Sequence, residues 1–161
     1  MKKLTVPLIA QRPELPTGCE ITAVTMLLQA VGIPVNKVQL AHEMPYDASD
    51  CNQGFVGDPF TENGNSIYPP ALIKLITKYA GHATDLTGAS LSVLKAQIDQ
   101  NHPVVVWVGE FDGFHTHALT MIGYDADNVI VNDCWTAKTE KISNQQFAEI
   151  RAHLGNRAIT I

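Results

Sequence analysis

A cysteine at position 19, directly after Gly18 and at the head of the apolar run in PTGCEITAVTMLLQAVG, has the chemistry of either a nucleophile or a small core residue. Its position separates the two. With Thr17 as N-cap and Glu20 three residues on as its capping-box partner, Cys19 occupies the second position of a helix. There, unpaired backbone N–H groups and the positive end of the helix dipole favour a thiolate. Such surroundings bring a cysteine pKa from roughly 8.5 into a range of about 3.5 to 7.5. Gly18, lacking a side chain, is expected to leave room for a substrate backbone beside the sulfur.

A thiolate nucleophile needs an imidazole to carry the proton and an acceptor to orient that imidazole. The strings HALTMIGY and NVIVND flank the turn Tyr124-Asp-Ala-Asp-Asn128 and read as a hairpin. Cross-strand partners then have residue numbers summing to about 250 to 252, so odd positions share a face, and His117 stands opposite Asp133 or one diagonal step away. Leu119, Met121, Val129 and Val131 share that face, which is predicted to turn toward the Cys19 helix. His115 has the same parity but lies two residues farther out, beyond the expected reach of Asp133. His42, His82, His102 and His153 read as solvated or capping residues, and Asp133 alone would read as a turn residue.

Gln11, eight residues before Cys19 in a Pro-rich segment, has a side-chain NH2 that could serve a developing oxyanion together with the Cys19 N–H. By itself, a loop glutamine reads equally as solvated. Three cysteines make an odd set, so at least one thiol is free. Cys134 is expected to pack beneath the sheet, and Cys51 sits in a long loop as a second reactive thiol or none. No Cys-x-x-Cys or His-x-x-x-His spacing supports a metal site from Cys51, Cys134 and a histidine, so neither metal nor cofactor is expected.

The elements that must position these residues follow from periodicity. Helices are predicted over residues 18–31, 36–43, 69–80 and 91–100, with a fifth opened by Ser143 and running to about Leu154. Strands are predicted in PVVVWVGE, in the hairpin, and from Arg157 to Ile161. Residues 45–68, rich in Gly, Asp, Asn and Pro, read as a long functional loop. Helices first and antiparallel strands later make an α+β domain.

The 161 residues fit one domain, and a net charge of -5 gives no attraction to phosphate backbones, so nucleic acid is not expected as a partner. The opening MKKLTVPLIAQRPELP has too short an apolar run, cut by Pro7, for a signal segment or a membrane span. A cytoplasmic location is the expectation for the chain as written, with export open if a leader has been trimmed.

The strings QRPELPTGCEITAVTMLLQAVG, GFVGDP, YPPALIKLITKYA, PVVVWV, HALTMIGYD and VND, in this order, resemble the papain-like cysteine peptidase domain of the bacterial double-glycine leader peptidase-like family. The resemblance runs from about Val6 to the C-terminus. It implies a papain-like fold with Cys19 as nucleophile, His117 as general base and acid, Asp133 as orienting carboxylate and Gln11 as oxyanion donor. Gly18, Gly54, Phe55 and Trp107 are the substrate-binding positions expected with it, and a peptide or protein is the expected substrate. Founding members of that family carry membrane and ATPase segments and cut after a Gly-Gly pair. Neither segment lies within these residues, so the resemblance bears on the chemistry more than on the substrate. A catalytically silent peptide-binding module and an acyl transferase would use the same residues.

Overall fold

The computed structural model describes residues 1–161. In chain order the elements are β1 (Lys2–Lys3), α1 (Cys19–Ala30), α2 (Lys37–Glu43), β2 (Tyr46–Asp47), β3 (Phe55–Val56), α3 (Pro69–Ala80) and β4 (Thr84–Asp85). There follow α4 (Leu91–Asp99), β5 (Val104–Val108), β6 (His117–Tyr124), β7 (Asn128–Asp133), β8 (Lys138–Ser143), α5 (Asn144–Ala152) and β9 (Ala158–Thr160). An antiparallel sheet runs β4-β9-β5-β6-β7-β8, and β1 pairs with the far end of β6. The fold is α+β, as the sequence pattern predicts, and papain-like, as the resemblance implies.

Most helices begin and end where local chemistry dictates. Pro69 and Pro70 open α3, and Gly81 closes it at φ 78°, a left-handed conformation that glycine adopts without steric cost. Asn36, Ser90 and Ser143 each accept a backbone N–H from the first turn of α2, α4 and α5. The exception is α1. Its N-cap is Gly18, with no side-chain cap, so the expected capping box does not form. The Thr17 hydroxyl instead donates to the carbonyls of Asp58 and Thr61, and Glu20 turns inward to accept from Ser66. Gly18 is required here for packing, because a Cβ would lie 2.8 Å from that of Leu15.

The sheet is covered on both faces. On one face α1, α2 and α3 pack over Val105, Trp107, Ala118 and Ile159. On the other, α4 and α5 bury Leu94, Ile98, Phe147 and Ile150 against Val106, Leu119, Met121, Val129 and Val131. The predicted hairpin is present, with Thr120 opposite Asn132 and Met121 opposite Val131, before a bulge shifts the register by one. Its side is reversed from expectation: Leu119, Met121, Val129 and Val131 face α4 and α5, while α1 rests on Ala118 and receives the Thr120 hydroxyl at the carbonyl of Ala23. Parity fixes which residues share a face but not which helices cover it.

The 45–68 loop is strapped down rather than free. β2 and β3 pair in parallel, and Gly54 is required because a Cβ would meet the Tyr46 backbone at 2.6 Å. Phe55 and Ile67 are buried, and the Ile67 carbonyl accepts the indole N–H of Trp107 at 2.9 Å.

Candidate active site

α1 presents Cys19 at its first turn, β6 begins with His117, and β7 ends with Asp133. The three meet because the hairpin carries its open end to the start of α1. The Cys134 thiol bridges them, directed at the carbonyls of Cys19 and of Ala118, one residue from the imidazole. Cys19, His117 and Gln11 line one cavity of about 280 Å³, closed by Thr17, Gly64 and Phe114. A larger cavity of about 430 Å³ lies elsewhere, among Glu43, Pro45, Gln53, Lys74 and Lys78, and contains no cysteine or histidine.

His117 is almost fully buried, and its Nε2 lies 2.9 Å from Asp133 Oδ1. The tautomer protonated at Nε2 donates to that carboxylate and leaves Nδ1 with a lone pair for a thiol proton. The same Asp133 oxygen accepts the backbone N–H of Trp135 at 2.9 Å. Burial alone would raise the Asp133 pKa, but the hydrogen bonds and the positive imidazolium form of His117 outweigh it, and the carboxyl is held well below its ordinary value. Phe114 stacks on the imidazole at 5.5 Å between centroids and meets Trp135 edge-on at 4.9 Å. The Arg12 guanidinium lies over the ring of that indole. The ring of His117 is therefore held by one carboxylate and an aromatic wall. His115 lies outside this arrangement, exposed and paired with Glu110.

The thiol differs from the sequence expectation. Cys19 is buried at the first helical position, and its pKa is pushed well above the ordinary thiol value, first by burial and then by the Glu20 carboxylate and the Cys134 thiol. Loss of solvation outweighs the helix dipole, whose influence at an exposed terminus is only about 0.3 to 1 kcal/mol. Glu20 is itself fully buried, with its pKa raised by burial, and only one of its carboxyl oxygens has a hydrogen-bond partner. Burial therefore favours the neutral thiol over the thiolate at Cys19.

Gln11 is buried in the wall of the cavity that Cys19 also lines. Its Nε2 donates to the carbonyls of Leu15 at 3.2 Å and Pro16 at 3.0 Å, while its Oε1 accepts the Cys134 S–H at 3.1 Å. The Cys134 contact holds the oxygen end of the amide, a role for Cys134 that its spacing does not reveal. Phe55 and Trp107 are buried in the core, and Gly54 packs on Tyr46, so none of these three lines the cavity. The burial of Phe55 and Trp107 corrects their expected substrate contact. Cys51 is half-buried in the long loop, with its pKa raised by partial burial.

His117, Asp133 and Cys134 have ligand atoms within 4.8 Å of one another, a set distinct from the Cys51-containing one weighed from the sequence. The imidazole and carboxylate are already bonded to each other, and burial keeps the Cys134 thiol protonated. Cys19 and His117 line the same cavity.

Residues 3–159 match the sequence model of the Peptidase_C39 like family. The protein YvpB of Bacillus subtilis (strain 168), itself uncharacterised, is 30% identical over 176 residues, spanning 92% of this chain and 70% of YvpB. Among solved structures, a Bacillus anthracis chain assigned as a C39-like peptidase superposes with a TM-score of 0.90 at 30% identity, over 99% of this chain and 96% of that one. The peptidase domain of Streptococcus ComA, a bifunctional ABC transporter of a quorum-sensing pathway, superposes at 0.63 with 14% identity, over 99% and 96%. A double-glycine-motif protease of an AMS/PCAT transporter, solved with its leader peptide, superposes at 0.62 with 16% identity, over 99% and 92%. No helix is long and apolar enough to cross a membrane.

Proposed function

The chain belongs to the Peptidase_C39 like family, and from that premise we propose that it is a cysteine peptidase whose nucleophile is Cys19, with His117, Asp133 and Gln11 completing the site. The observation that carries this reading is the 2.9 Å bond between His117 Nε2 and Asp133 Oδ1 in the cavity wall that also holds Cys19.

Because burial keeps the thiol protonated, the proton moves as the sulfur reacts. His117 Nδ1 takes it while sulfur attacks the carbonyl carbon, and Asp133 stabilises the imidazolium that forms. The oxyanion meets the Cys19 N–H, which has no partner within the helix at this first position, and the Gln11 NH2 once it leaves the carbonyls of Leu15 and Pro16. The C–N bond breaks as His117 returns its proton to the departing amine. Water then gives a proton to His117 and attacks the thioester, releasing the acid and restoring the thiol. A peptide is the substrate class the cavity supports, in keeping with the relative solved with its leader peptide.

The test compares cleavage of a peptide library, including double-glycine sequences, by the wild-type protein and Cys19→Ala. Loss of cleavage in the variant is expected. Unchanged cleavage, with Cys19 alkylated no faster than Cys134 at neutral pH, overturns the reading.

A further inference from the structure

The oxygen of Asp133 that does not touch His117 is buried and has no N–H or hydroxyl donor. A buried carboxylate oxygen left without a donor carries its full desolvation penalty. The group nearest to it by chemistry is another acid. Asp112, at the tip of the loop that joins β5 to β6, brings its carboxyl to the same imidazole nitrogen that Asp133 holds, so that the two acids converge on His117 Nε2. Asp112 Oδ2 stands 3.5 Å from His117 Nε2, is buried, and has no other partner.

The loop is built to hold this arrangement. Phe111 and Phe114 exchange backbone hydrogen bonds across the tip, and Glu110, Asp112 and Gly113 have φ of 53°, 54° and 81°. Two successive residues in the left-handed region, one of them not glycine, concentrate strain at the position that carries the acid. Phe114 completes the tie through its stack on the imidazole.

We propose that Asp112 is a positioning residue for His117: it donates a hydrogen bond to the far oxygen of Asp133, so that the near oxygen stays on the imidazole. The orienting group is then an acid–carboxylate pair rather than a single aspartate. This rests on the proposed roles of Cys19 and His117, but its placement of the proton is a property of the resting protein.

Two carboxyls in contact cannot both ionise at little cost, and the proton settles on one of them. It settles on Asp112, whose pKa is raised to about 8 by burial, by its bond to Asp133, and by the charges of Asp133 on β7 and Glu140 on β8. The charged and titratable groups facing the pair are His117 from β6 and Glu140 from β8, with Lys138 acting on Glu140. Below about pH 8 Asp112 is a donor. Above it, a second carboxylate adjoins Asp133, the donor is lost, and the two charges repel.

The experiment follows the Asp112 Cγ and the His117 ring by NMR in 13C-labelled whole protein, with resonances assigned by their loss in Asp112→Asn and His117→Gln. The Asp112 Cγ is expected to titrate near pH 8, and the His117 ring to show an inflection at the same pH. In Asp112→Asn, whose amide still donates and whose side chain tolerates the left-handed backbone, the inflection near pH 8 disappears. An Asp112 Cγ that titrates in the ordinary carboxyl range overturns the proposal, as does an unchanged His117 profile in Asp112→Asn. Neither readout requires turnover, so failure of the peptidase reading would leave this result separately legible.

Discussion

The two faces of the sheet are built from different materials. Under α4 and α5 the buried residues are almost all aliphatic or aromatic, among them Leu94, Ile98, Leu119, Val129, Val131 and Phe147. Under α1 the core is equally dry but holds Gln11, Glu20, Thr22, Thr25 and Thr120 within it, and His117 and Asp133 are buried beyond it at the open end of the hairpin. The first face supplies hydrophobic stabilisation, at roughly 25 cal/mol per Å² of apolar surface removed from water. The second gives up part of that gain to hold polar groups in fixed geometry, and each of those groups has to be matched. Thr22 and Thr25 bond back to Gly18 and Ile21, Glu20 to Ser66, and Asp133 to His117 and Trp135. A site that relies on fixed dipoles and one well-oriented imidazole needs such a face.

If the division is real, substitutions on the two faces separate activity from stability. The largest effect is expected from His117→Gln, which removes the proton carrier while keeping a polar side chain beside Asp133. Its kcat/KM should fall at least about 10²- to 10⁴-fold, the range general acid–base catalysis contributes. Its thermal midpoint should move far less than that of a core deletion. Leu119→Ala, on the opposite face, should cost about 2–5 kcal/mol in denaturant unfolding. The activity of the molecules still folded should be near wild type. Activity lost in step with stability in both variants would break the comparison.

A smaller effect sharpens it. Glu20 is beside the sulfur and disfavours its ionisation. Glu20→Gln removes the negative charge and retains an acceptor for Ser66, so the thiol pKa should fall. The pH profile of Cys19 alkylation by iodoacetamide should then move to lower pH, while Cys134, shielded by burial, stays slow. A profile that moves to higher pH or does not move would remove Glu20 from the electrostatics of the nucleophile.

Much of the architecture is legible locally. α3 announces both ends through Pro69, Pro70 and Gly81, and α2 and α5 announce their starts through Asn36 and Ser143. The pairing of His117 with Asp133 follows from hairpin parity, even with the bulge beyond Met121. What sequence spacing misses is non-local. Glu20 sits at the spacing of a capping box, but its partner Ser66 is 46 positions away. β8 escapes because KTEKIS is charged and mostly exposed, with only Ile142 buried, the pattern of an edge strand that reads as a loop. The side of the sheet facing α1 depends on the return of α4 and α5 across the other face, which no period in the hairpin encodes. Asp112 is hidden for a related reason: FDGF reads as an ordinary turn, and its acid matters only because the turn folds back over Asp133.

The most direct test of the account is intact-mass spectrometry of the wild-type protein, quenched with acid during turnover of a peptide that it cleaves. The account predicts a covalent adduct equal to the acyl half of that peptide, mapped by digestion to Cys19 and absent from Cys19→Ala. Peptides that bind tightly and leave uncut, or that are cut with no adduct at Cys19 and at the same rate by Cys19→Ala, would contradict it.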